Sequence, residues 1–142
     1  MNYMNPVKKI VGTAAERLGF AWAGGATDEF RRMYTFRRER DGVTEDICID
    51  IEPSLMTDRG RCAELSLSSD RPKTPLEYEN VTFLLDRGGL MKEEDSYEDR
   101  LYFEDEAELR RILEHFVNVI EQKGDEVFSR LGAKLKISGG SK

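Results

Sequence analysis

Residues 30–51 read FRRMYTFRRERDGVTEDICIDI, and the Asp41-Gly42 step near their middle decides the fold. Asp-Gly between two alternating runs is a favoured two-residue hairpin turn, because both positions tolerate positive φ. A two-residue loop fixes register. Arg40 then stands opposite Val43, Phe36 opposite Ile47 and Tyr34 opposite Ile49, so the bulky apolar residues share one face. The same register sets Arg38 beside Glu45, Arg37 beside Asp46 and Arg31 beside Glu52, three pairs of opposite charge. The strands are expected over Phe30–Arg40 and Val43–Ile51.

Working outward, the N-terminal flank reads as a helix, with Asn5 as cap, Pro6 in the first turn and Val7, Ile10, Val11, Ala14 and Leu18 at helical spacing. Gly19 is expected to close it and Phe20 to fold back on the last turn. Phe20–Ala23 is expected as a short strand before a Gly24-Gly25 loop. On the other flank, beyond Pro53 and the 57–60 connection, Arg61–Ser68 alternates with Ala63, Leu65 and Leu67 on one side, a third strand of the hairpin sheet.

Thr74-Pro75-Leu76-Glu77 carries the pattern of a capping box. It predicts a helix from Pro75 to Arg87 ended by Gly88-Gly89, with a strand over Val81–Leu85 as the rival. Arg100–Phe103 is expected as one more short strand. Asp105 and Glu108 form a second cap pair before Leu109, Ile112, Leu113, Phe116, Val117 and Ile120. That stripe continues through Gly124 to Val127, Phe128 and Leu131, so a single long helix is expected, ended by Gly132. Residues 138–142 are small and polar and are expected to be loose. The expected fold is therefore α+β: an antiparallel sheet of four to five strands, with an N-terminal and a long C-terminal helix on one face, forming one domain over residues 1–137.

Composition bounds the function classes. The chain has 142 residues, 39% hydrophobic and 35% charged, a size suited to one core. Its two cysteines, Cys48 and Cys62, make no disulfide framework and are read as reduced thiols. The first twenty residues show charges at regular spacing rather than an apolar signal core, and no stretch approaches the roughly 20 apolar residues of a membrane-spanning helix. A cytoplasmic location without membrane attachment is expected.

The formal charge is −6, but it is unevenly placed. From Glu93 to Glu108 nine carboxylates face one base, Arg100, a local charge of −8 that exceeds the imbalance of the whole chain. Helix-dipole preference accounts for Asp105, Glu106 and Glu108. It does not account for Glu93, Glu94, Asp95, Glu98 and Asp99, which are the candidate partner-binding residues. A field of that sign repels nucleic acid and attracts a basic protein.

Catalytic and metal chemistry find little support. The single histidine, His115, has no acid or nucleophile at a partnering distance in sequence, and is read as a surface residue beside the helix stripe. One histidine and two separated cysteines do not make a zinc site. Asp46, Asp50 and Glu52 crowd one strand, as a magnesium site would, yet no lysine joins them from the next strand, and Glu45 and Asp46 already have arginine partners across the hairpin. Arg31, Arg32, Arg37, Arg38 and Arg40 among Phe30, Tyr34 and Phe36 have the composition of a nucleic-acid platform, but the register turns the arginines onto carboxylates and the rings into the core. No catalytic residue, metal or cofactor is assigned. Trp22, the sole tryptophan, is expected in the core, with an exposed interface anchor as the alternative.

The Arg17-Leu18-Gly19-Phe20 helix end, the aromatic and arginine-rich strand, Asp41-Gly42 and the isoleucine-rich return strand resemble small bacterial domains found among toxin-immunity proteins. The likeness covers the first third of the chain. It implies a small acidic protein that covers a toxin's basic active site. In size, charge and long closing helix the chain also resembles bacterial secretion chaperones, which implies a homodimer. A metal-dependent enzyme or small-ligand binder using Asp46, Asp50 and Glu52 is the third reading left open.

Overall fold

The computed structural model describes residues 2–28, 31–52, 61–74, 77–85, 91–93 and 101–138. One antiparallel sheet carries the molecule, in the strand order β1-β2-β3-β4-β5-β6, with β7 pairing to β4. Five strands form its body: β1 (Ala21–Thr27), β2 (Arg32–Arg40), β3 (Val43–Glu52), β4 (Cys62–Thr74) and β5 (Glu77–Leu85). Two short strands, β6 (Met91–Glu93) and β7 (Leu101–Tyr102), extend it. The expected α+β architecture is what forms.

The hairpin has the expected register, with Arg40↔Val43, Phe36↔Ile47 and Tyr34↔Ile49 as partners. Its turn works as the sequence dictates, since Asp41 and Gly42 take φ of 53° and 76°. Tyr34, Phe36, Ile47, Ile49 and Ile51 are buried on one face, and Ala63, Leu65 and Leu67 of β4 continue that face. Each fully buried aliphatic side chain of this set contributes about 1.5–3 kcal/mol.

The first helix, α1, winds continuously through an α-helical start (Met4–Pro6), a π-wound middle (Val7–Val11) and an α-helical end (Gly12–Arg17). It starts two residues earlier than Asn5 suggested, at Met4, and Asn2 Oδ1 accepts the Asn5 backbone N–H at 3.1 Å. Its end follows expectation. Gly19 takes φ 91°, its N–H bonds to Glu16 C=O, and the Phe20 N–H reaches Ala15 C=O at 2.9 Å. This is the double bond of a Schellman closure, with Phe20 folded back and buried.

The second helix, α2 (Glu106–Ser138), is a single rod. Asp105 Oδ1 accepts the Glu108 N–H at 2.8 Å, and Glu108 returns a carboxylate to the Glu104 N–H at 2.9 Å, one residue further back than a capping box requires. Leu109, Leu113, Phe116, Ile120, Val127, Phe128 and Leu131 are buried in the same core as Val7, Val11 and Ala15 of α1 and the strand residues. Both helices thus cover the same sheet face. Among the described residues no helix is long and apolar enough to cross a membrane.

Four expectations are corrected. Where a helix over Pro75–Arg87 was expected, residues 77–85 form a strand, β5, paired along β4 from Ser66↔Leu84 to Thr74↔Glu77, longer than the rival strand over Val81–Leu85; residues 75–76 and 86–90 lie outside the described residues. A cap is worth about 1 kcal/mol, too little to compete with a nine-residue ladder along β4. The third strand runs on to Thr74, absorbing Pro72 beside a register shift. Gly24-Gly25 is not a loop but lies within β1, where Gly24 takes φ 114° at a bulge. Finally, α2 passes Gly132 and runs to Ser138, because residues 133–138 contain no proline or glycine to stop it. Phe30 and residues 139–142 of the expected tail lie outside the described residues.

Candidate functional site

The chemistry of the charged residues is set by the hairpin ladder. On β2 and β3, residues opposite each other alternate between the helix-covered face and the open face. Arg37 and Asp46 meet on the open face in a two-point pair, Nε to Oδ1 at 2.7 Å and Nη2 to Oδ2 at 3.0 Å. The bond to Asp46 raises the Arg37 pKa further above its ordinary value. Arg31 reaches Asp50 at 3.3 Å and Asp28 at 4.0 Å, rather than the Glu52 expected from simple extension of the register. The ladder ends at Arg32, which frees Arg31 to swing.

On the covered face, Glu45 is buried and accepts from two arginines: Arg38 Nε at 2.6 Å, and Arg40 Nε and Nη2 at 2.8 and 3.0 Å. Arg38 is enclosed by more than charge. Its Nη1 donates to Leu18 C=O at 2.7 Å, Asp125 lies 3.7 Å from Nη2, and its guanidinium lies over Phe20 at 4.2 Å and Phe128 at 5.4 Å. A cavity of about 330 Å³ opens beside this group, between the hairpin turn and α2, lined by Arg40, Val43, Glu45, Phe128 and Gly132. Arg31, Arg37, Arg38 and Arg40 are therefore each met by a carboxylate within the molecule, while Arg32 donates to the Asp28 and Arg31 carbonyls.

The carboxylates proposed for a metal do not converge. Asp46 is engaged by Arg37, Asp50 by Arg31, and Glu52 accepts a weak bond from Cys62 Sγ at 3.8 Å. Among the described residues no three acidic, histidine or cysteine side chains are grouped to hold an ion. Both cysteines are free thiols, and burial pushes the Cys48 thiol up to about 11. His115 is exposed, as expected of a surface residue.

Of the candidate partner-binding residues, Glu93 ends β6 at the far edge of the sheet. Glu94, Asp95, Glu98 and Asp99 lie outside the described residues. A second feature lies at the opposite edge, of which sequence reasoning held only Trp22, as the alternative to core burial, and missed its helix partner. Trp22, expected in the core, is only half-buried on β1, packed against Tyr34 (ring centroids 6.2 Å apart) and edge-on to Phe36 (5.5 Å). The Lys8 ammonium of α1 sits over its indole, 4.8 Å from the ring centroid. The available signal was Lys8 one turn before Gly12 on a helix leading directly into Trp22, but nothing in the spacing said which helix face would overhang the strand.

Comparison with known proteins adds no assignment: no family model, no curated protein and no solved structure matches this chain.

Proposed function

We propose that this chain is a non-catalytic protein-binding module whose acidic stretch, Glu93–Glu108, docks on a basic partner in the manner of an immunity protein covering a toxin's active site. The observation that supports this reading is the internal pairing of Arg37, Arg38 and Arg40 with Asp46 and Glu45. With those cations committed, the −8 of residues 93–108 stands as the dominant local field of a −6 chain. Such a field draws in a cationic surface and speeds its encounter.

The test is capture from the native cell extract on immobilised wild type and on a variant carrying Glu93→Gln, Glu94→Gln, Asp95→Asn, Glu98→Gln and Asp99→Asn. The reading expects a basic protein held by the wild type, released as the screening length shrinks from about 10 Å at 0.1 M salt to about 3 Å at 1 M, and lost from the variant. Equal capture by both forms would end it.

A further inference from the structure

The sheet has two ends of unlike chemistry. At the far end stands β6 with Glu93, and at the near end β1, Ala21-Trp22-Ala23-Gly24-Gly25-Ala26-Thr27. Among the described residues no strand pairs with the outer side of β1. Its residues are mostly exposed, and it carries neither a charged residue nor a proline. Natural edge strands are usually guarded by such residues, because an open ladder recruits other chains. The guard the strand itself carries is a bulge between Trp22 and Gly24.

Alongside this edge runs α1. Between them lies a cavity of about 110 Å³, lined by Lys8, Gly12, Thr13, Glu16, Trp22 and Phe36. That volume suits one aliphatic side chain. Its floor exists because position 12 is glycine: a Cβ there would stand 3.2 Å from Phe36 Cε1. At its rim, Lys8 rests over Trp22 and forms no ion pair among the described residues, although it belongs to an acidic chain.

We propose that the β1 edge and α1 together bind an extended segment of a partner protein, which adds as a strand to β1. The segment sets an aliphatic side chain against Trp22 and Phe36 and a carboxylate against Lys8. Strand addition beside a helix supplies affinity through the backbone ladder and selectivity through alternate side chains. The spacing follows from geometry. The Lys8 ammonium lies 4.8 Å from the Trp22 ring centroid, and residues i and i+2 of a strand share a face about 6.8 Å apart. The segment therefore carries the aliphatic and the acidic residue two positions apart. A second copy of this chain fits less well, because its own β1 has no carboxylate to meet Lys8 and its one large side chain, Trp22, is already packed on Tyr34 and Phe36. This surface is independent of the acidic stretch, and neither proposal needs the other.

The test uses the full chain, ¹⁵N-labelled, titrated with the blocked hexapeptide Thr-Asp-Thr-Leu-Thr-Thr, with its Leu-Thr-Asp counterpart, and with versions bearing lysine in place of aspartate. Amide shifts are expected along Ala21–Thr27 and in α1 between Lys8 and Glu16. The better aspartate peptide should bind about threefold more tightly than its lysine version, the scale of one exposed ion pair. Lys8→Glu should reverse that preference while the spectrum of the rest of the protein stays unchanged. No shift of β1 amides up to the peptides' solubility limit would overturn the proposal, as would shifts confined to other regions. Concentration-dependent shifts of β1 without peptide would also overturn it, in favour of self-association.

Discussion

Among the described residues two cations rest on aromatic rings, and they differ in everything else. Arg38 lies over Phe20 and Phe128 and is bound by Glu45 and by the Leu18 carbonyl, its side chain only 11% exposed. Lys8 lies over Trp22 with an exposed side chain and no carboxylate paired to it among the described residues. A ring face attracts either cation by about 0.5–2 kcal/mol, depending on how far water is excluded. The same contact therefore serves two ends. Where the cation is enclosed and held by a carboxylate and a carbonyl, it fixes the fold; where the cation keeps its charge facing solvent, it pre-positions a group for something else.

That contrast can be broken by mutation. Glu45→Ala leaves Arg38 enclosed with only the exposed Asp125 carboxylate near it, and removing one member of a buried pair costs about 3 kcal/mol or more. A urea unfolding series should show the midpoint falling accordingly, with an unchanged slope. If the loss stayed within a few tenths of a kcal/mol, Arg38 would be as solvated as Lys8 and the contrast would be empty. At the small end, Lys8→Ala should lower stability by only about 0.5 kcal/mol in the same series, the value of an exposed cation–aromatic contact. A loss as large as that of Glu45→Ala would make Lys8 a structural residue and remove its claim to an outside partner.

Much of this was legible from residues 30–51. The two-residue turn set the register, the register set the pairs Arg37–Asp46 and Arg38–Glu45, and the observed ladder repeats both. Local rules of this kind succeed when one short turn dictates many contacts. They failed at Thr74-Pro75-Leu76-Glu77, where a sound capping sequence lost to the open edge of β4, a competitor that no local window contains. Gly24-Gly25 was misplaced for a related reason: glycine marks both loops and bulges, and only the partner strand β2 decides between them. The groove at Lys8 and Trp22 was hidden because it depends on how a helix and a strand joined by the turn at Gly19 settle against each other. The acidic run was plain from composition, yet composition gives a charge and not a surface.

The central claim is that the hairpin arginines are neutralised within the fold, and a double-mutant cycle on Arg38 and Glu45 measures it most directly. Arg38→Ala, Glu45→Ala and the double variant are unfolded in urea alongside the wild type. The account predicts a coupling energy of about 2 kcal/mol, the double variant losing much less than the two single losses combined. Losses that simply add would show that the two charges do not answer each other and would contradict it.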